Sequence, residues 1–173
     1  HGLLRNAHVQ SVLSSSAWRK QSGLNRLAAL GVMAQPRILA LPDGTRLSGL
    51  YYAAPSELAR NALTLLLHGW EGSAQSSYIN HSAAELLTEG IDVFALNFRD
   101  HGQSHELNEG LFHSNRLQEV LDAARQVHQT FRPAHFFVAG YSLGGNFALR
   151  LALCASAQEL PIDAAFSICP PVD

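Results

Sequence analysis

A chain of 173 residues that is 47% hydrophobic and 15% charged, with formal net charge −2, supports one real core and leaves little room for a second. A domain near 150 residues buries about 68–70% of its unfolded surface. Apolar content this high at a net charge this low excludes disorder as the main state. No 18-residue apolar run is present to span a membrane, and the basic surplus expected of a nucleic-acid binder is absent. Two cysteines, Cys154 and Cys169, do not make a disulfide-stapled scaffold.

The charge is unevenly spread. Residues 1–42 carry five basic groups (Arg5, Arg19, Lys20, Arg26, Arg37) and no acid, whereas the rest carries seven basic and fourteen acidic groups. Serine is dense in the same segment, at Ser11, Ser14, Ser15, Ser16 and Ser22. Residues 1–36 therefore read as a basic helical arm, and residues 37–173 as the main domain. Such an arm keeps peripheral contact with an anionic membrane open, and an organelle transit peptide has a similar composition. The chain begins at His1 rather than Met, so a processed, excised or incomplete start is expected. Two unpaired thiols without a secretory signal make the cytoplasm the expected location.

After the arm, Arg37 to Tyr52 reads as a hairpin, because two apolar runs flank Pro42-Asp43-Gly44. The continuous run Leu63 to Leu67 has the pattern of a strand buried on both faces, as in a parallel sheet. Ile79, Ala83, Leu86 and Leu87 share one helical face, and Gly90 is placed to end that helix. Val93 to Leu96 is the next strand. Leu117, Val120, Leu121, Ala124 and His128 repeat the helical spacing, and Pro133 stops it. Phe136 to Ala139 is a strand, Leu143 to Ala155 a helix, and Ala164 to Ile168 a last strand. Strands alternating with helices predict an α/β fold: a mostly parallel sheet with helices on both faces, preceded by the hairpin and the arm.

The sharpest chemical signal is Gly140-Tyr141-Ser142-Leu143-Gly144. Random order of this composition would give roughly 0.09 such G-x-S-x-G matches, so the motif by itself is weak. Its setting is stronger, directly between a predicted strand and a predicted helix. A serine there sits on a tight turn with its hydroxyl lifted out of the sheet, and flanking glycines avoid collisions with neighbouring elements. The alternative is a glycine-rich helix start that uses Ser142 as its N-cap.

A second signal, His68-Gly69-Trp70-Glu71-Gly72, follows the Leu63 to Leu67 strand. A serine hydrolase needs two donors for the oxyanion of its tetrahedral intermediate, one from the residue after the nucleophile and one from an earlier strand loop. The backbone N–H groups of Leu143 and Trp70 are the candidates. His68, ending a buried strand, reads as a structural hydrogen-bonding group before a catalytic base. His101, His105 and His113, with Glu106 and Glu109 nearby, have a spacing that permits a metal site only if the segment is helical, and Gly102-Gln103-Ser104 reads as loop. No cofactor and no metal are expected.

The order hairpin, HGWEGS, NFRDHG, GYSLGGN resembles the α/β-hydrolase fold, and more narrowly its YheT-like branch of serine hydrolases. The narrower resemblance rests on Arg5-Asn6-Ala7-His8-Val9-Gln10, Pro42-Asp43-Gly44, His68-Gly69, Glu71-Gly72-Ser73, Asn97-Phe98-Arg99 and Gly140 to Asn146. It implies a carboxylic-ester or lipid-ester hydrolase with Ser142 as nucleophile. Asp100-His101-Gly102 departs from the Gly-Cys pair that many members carry after the arginine.

In that fold the triad runs Ser, then Asp or Glu, then His. All nine histidines precede Ser142, and the acids after it are Glu159, Asp163 and Asp173. The expectation is therefore an N-terminal part of a longer hydrolase, whose acid and base lie beyond Asp173. Alone, the chain should show no substantial esterase turnover. It should also self-associate through the apolar Ala164 to Ile168 strand, and a clean monomer at high concentration would contradict that. A non-catalytic binding or scaffold module of the same fold is the competing function, and a pH-responsive histidine surface is a third.

Overall fold

In a computed structural model residues 16–172 are described. Helix α1 (Ala17–Ala29) is followed by strands β1 (Gln35–Ala40), β2 (Arg46–Tyr52) and β3 (Ala62–Leu67). Then come α2 (Ser77–Thr88), β4 (Asp92–Leu96), a short 3-10 turn (His105–Leu107) and α3 (Leu117–Phe131). The sequence closes with β5 (His135–Tyr141), α4 (Leu143–Cys154) and β6 (Ala164–Ile168). Residues 1–15 and Asp173 lie outside the described part, and with them Arg5, Ser11, the Arg5 to Gln10 motif and one candidate acid.

The strands form one sheet in the order β1-β2-β4-β3-β5-β6. β1 and β2 are the predicted antiparallel hairpin, β2 runs antiparallel to β4, and β4, β3, β5 and β6 are mutually parallel. The fold is thus α/β with a mixed, mostly parallel sheet. β3 is central because all six of its residues are buried, which requires a side chain acceptable to both covered faces at every position. Leu63, Leu65 and Leu67 enter the core under α3 and α4, with Val120, Val127, Phe147 and Leu151. Leu66, of opposite parity, enters a second core with Ala83, Ala84 and Leu87 of α2. The two-residue period of the strand thus divides one leucine run between two cores.

The described part of the basic arm is packed rather than extended. Ser16 caps α1 by accepting from the Arg19 N–H. Gly23 and Leu27 are its buried residues, and a Cβ at Gly23 would come within 2.9 Å of Asn80 Cβ on α2. Arg26 pairs with Glu85 at 2.5 Å. No described helix is long and apolar enough to cross a membrane. On the far side β6 pairs only with β5, and Phe166 remains 56% exposed. It borders an apolar groove of about 430 Å³ shared with Leu66, Leu86, Phe137 and Ala139. The expected self-association rests on this edge.

Candidate active site

Backbone strain locates the site before any side chain does. Among the described residues seven non-glycine positions have positive φ, a conformation that costs about 1–3 kcal/mol and persists only where surroundings enforce it. Four of the seven, Glu71, Asp100, Ser142 and Cys169, lie just past the C-terminal ends of β3, β4, β5 and β6. Open α/β sheets bind ligands outside these strand ends. Ser142, with φ 51° and ψ −118°, is squeezed between the last residue of β5 and the first of α4. The residue is exposed and its side chain makes no capping bond to α4, so the N-cap explanation fails. Its own N–H is taken by the Ile168 carbonyl at 2.8 Å, which ties the turn to β6.

The flanking glycines are dictated by contact. A Cβ at Gly140 would overlap the Gly144 carbonyl and come within 2.7 Å of the Gly145 nitrogen. One at Gly144 would overlap the Leu67 carbonyl oxygen and lie 2.5 Å from that of His68. The start of α4 therefore rests directly on the end of β3. Gly69 completes the approach, since a Cβ there would lie 3.3 Å from Ser142 Cβ.

The β3 loop is pinned by Tyr78, which belongs to no motif, and by Asn97 of the Asn97-Phe98-Arg99 segment. The Gly69 N–H donates to the Tyr78 hydroxyl at 3.0 Å, and the Ala74 N–H donates to Asn97 Oδ1 at 2.7 Å. Asn97 in turn donates to Ser48 Oγ. Between these anchors the N–H of Trp70 has no hydrogen-bond partner among the described residues, and neither has that of Leu143. Orphan donors at a helix start are the usual anion site of a protein. The Trp70 indole is 59% exposed and faces His101 and Phe112 with ring centroids 6.3 Å away in each case. Trp70 and Leu143 share a cavity of about 500 Å³ with Asn146, Arg150 and Pro171.

His68 is wholly buried and has both ring nitrogens engaged. Nδ1 donates to the Gly69 carbonyl at 2.7 Å, and Nε2 accepts the Phe98 N–H at 3.2 Å, which requires the neutral Nδ1–H tautomer. It fastens β3 to β4 as the structural group the sequence suggested. Burial, with a smaller push from His101, lowers its pKa from 6.5 to about 4. The folded state therefore binds fewer protons than the unfolded state between those values. Stability from neutral His68 is fully present above about pH 6.5 and is lost as pH falls through about 4, about 3 kcal/mol in all. An NMR titration of the ring should give a midpoint near 4, and a midpoint near 6.5 would contradict the burial.

Two of the three histidines with metal-compatible spacing, His101 and His105, have other partners. His105 Nδ1 pairs with Asp100 at 2.5 Å and His101 Nδ1 donates to the Arg99 carbonyl at 2.8 Å. Among the described residues no group of three or more His, Cys, Asp or Glu converges.

The loop after β4 is held by a buried cluster. Glu119 of α3 accepts from Arg99 Nε at 3.0 Å and Nη2 at 2.8 Å, and from Arg116 Nη1 at 2.6 Å. Arg99 also donates to the Glu109 carbonyl and to Thr45 Oγ1. Arg116 holds the Leu111 carbonyl.

This chain matches the family described as the alpha/beta hydrolase fold over residues 64–173, from β3 through the strained serine to the last residue. The chain belongs to the α/β-hydrolase fold family. Within that family it is YheT-like, being 30% identical over 135 residues to YheT of Escherichia coli (strain K12), a protein assigned as an esterase. The match covers 77% of this chain and 39% of YheT, so the chain spans well under half the length of that relative. Among solved structures it is similar to the esterase Est22, with TM-score 0.72 at 15% identity, covering 98% of this chain and 54% of that one. It is similar to the Pyrococcus furiosus esterase Pf2001, with TM-score 0.70 at 21% identity, covering 84% and 52%. A third similar structure is XC6422 of Xanthomonas campestris, a serine hydrolase without a lid, with TM-score 0.61 at 22% identity, covering 73% and 57%. These three likenesses establish the fold.

Proposed function

We propose that this chain carries the nucleophile and oxyanion-binding part of a serine hydrolase that cleaves carboxylic esters, lipid esters included. The carrying observation is Ser142, held at φ 51° on the β5–α4 turn beside the N–H groups of Leu143 and Trp70, which have no partner among the described residues. In the proposed reaction Ser142 Oγ attacks the ester carbonyl. The negative charge that develops on the carbonyl oxygen is received by those two N–H groups. Collapse breaks the bond to the alcohol and leaves an acyl group on Ser142, which water then removes. The Oγ proton must pass to a base and from it to the departing alcohol. His68 cannot serve, since both its nitrogens are engaged. No histidine follows Ser142 in the 173 residues, so these residues alone are expected to acylate slowly.

A binding module without chemistry would gain nothing from a strained serine, which favours the hydrolase. The test is exposure of the 173-residue chain to a fluorophosphonate, with the adduct mapped by mass spectrometry. Slow labelling confined to Ser142, and accelerated by added imidazole acting as the base, supports the proposal. No adduct at Ser142 would refute it. Rapid labelling with matching ester turnover would show that the base lies within these residues.

A further inference from the structure

We infer that the ester taken by this site bears an anionic group, a carboxylate or phosphate, bound by Arg150; this rests on the acyl-transfer reading of Ser142. Leu143, Asn146, Phe147 and Arg150 recur at i, i+3, i+4 and i+7 along α4, so they share one helix face. That face carries the Leu143 N–H at one end and the Arg150 guanidinium at the other, with both residues lining the same cavity of about 500 Å³. At 1.5 Å rise per residue, and with helical side chains leaning toward the N-terminus, the charge stands roughly 5–10 Å along the axis from that N–H. A substrate whose carbonyl oxygen meets Leu143 and Trp70 thus reaches Arg150 with a group a few bonds away.

Three observations make Arg150 a receptor and not merely a solvated surface charge. Its position is fixed, because Nη1 donates to the Ser114 carbonyl at 2.6 Å and the guanidinium lies over the Phe147 ring at 5.2 Å from the centroid. Its charge is uncompensated: among the described residues it forms no salt bridge, as is also true of Arg19, Lys20, Arg37, Arg46 and Arg132, but of these only Arg150 lines the cavity. Among the described residues no acidic side chain lines the cavity, although residues 43–173 carry twice as many acids as bases. A guanidinium with one donor committed keeps a planar edge for a carboxylate or phosphate.

Binding can be read without turnover, because Trp70 lines the cavity. In a Trp18→Phe background, Trp70 fluorescence is titrated with monomethyl adipate, with its neutral counterpart dimethyl adipate, and with an acetyl ester of glycerol phosphate. At low salt the anionic esters should bind about tenfold tighter than the neutral diester, a charge-assisted gain that shrinks as ionic strength rises. The tighter of the two anionic arms identifies carboxylate or phosphate as the preferred group. Arg150→Gln should abolish the preference, Arg150→Lys should keep part of it, and Ser142→Ala should leave it intact. Equal binding of neutral and anionic esters, or a preference that survives Arg150→Gln, overturns the inference. An Arg150-dependent preference in a chain whose Ser142 resists the fluorophosphonate would instead sink the hydrolase reading and leave the anion site standing.

Discussion

Replacing Glu119 by alanine is expected to lower the unfolding free energy by about 3–5 kcal/mol, a large share of what a domain of this size possesses. Arg99 and Glu119 have side chains only 9% and 8% exposed, and Glu119 accepts four of the seven hydrogen bonds that Arg99 and Arg116 donate in this cluster. Removing the carboxylate leaves a buried guanidinium with only the Glu109 carbonyl and Thr45 Oγ1 as acceptors. Breaking one side of a buried pair is far more damaging than replacing both sides by apolar groups. Chemical denaturation with an unchanged slope should show a lower midpoint, and the melting temperature should fall by about 10 °C. A change within about 0.5 kcal/mol, the range of an ordinary surface substitution, would show that the cluster is solvated.

The second large effect concerns Gly144. A methyl group there would strike two backbone oxygens at the end of β3, and backbone in the centre of a sheet has nowhere to move. Gly144→Ala should therefore exceed the ~1–3 kcal/mol of ordinary overpacking and should remove Ser142 labelling in whatever fraction still folds. Ser142→Gly should do the opposite to stability. Glycine accepts φ 51° and ψ −118° without a Cβ penalty, so relief of strain should raise stability by about 1 kcal/mol while deleting the proposed nucleophile. If Ser142→Gly destabilises and Gly144→Ala does not, the turn is not strained in the way described. Paired urea titrations of the two variants decide it.

What sequence could and could not reveal follows from the range of each interaction. The leucine run of β3, the helical spacing of α2 and α3, and the Pro-Asp-Gly turn are local patterns, and each folded as its pattern implied. The serine turn was legible because its glycines, strand and helix are contiguous. Strand order was not legible: β4 enters between β2 and β3, a choice set by crossover packing and invisible to periodicity. Glu119 was equally hidden. On a helix with a strong polar face it reads as one more solvated acid, and it is Arg99, 20 residues earlier, that together with the neighbouring Arg116 draws it inward. Tyr78 and Asn97 hold the β3 loop through single long-range hydrogen bonds, which leave no mark in spacing. Arg150 stood on a face that spacing could identify, yet spacing does not tell a packed face from one that borders a cavity.

The account centres on Ser142 and two waiting N–H groups acting on one oxyanion. Its most direct test is the crystal structure of the Ser142 phosphonyl adduct. The phosphoryl oxygen is predicted to lie about 2.7–3.1 Å from both the Leu143 and Trp70 nitrogens, the span required of working oxyanion donors. An oxygen turned toward solvent, or one bonded to neither nitrogen, would contradict the account.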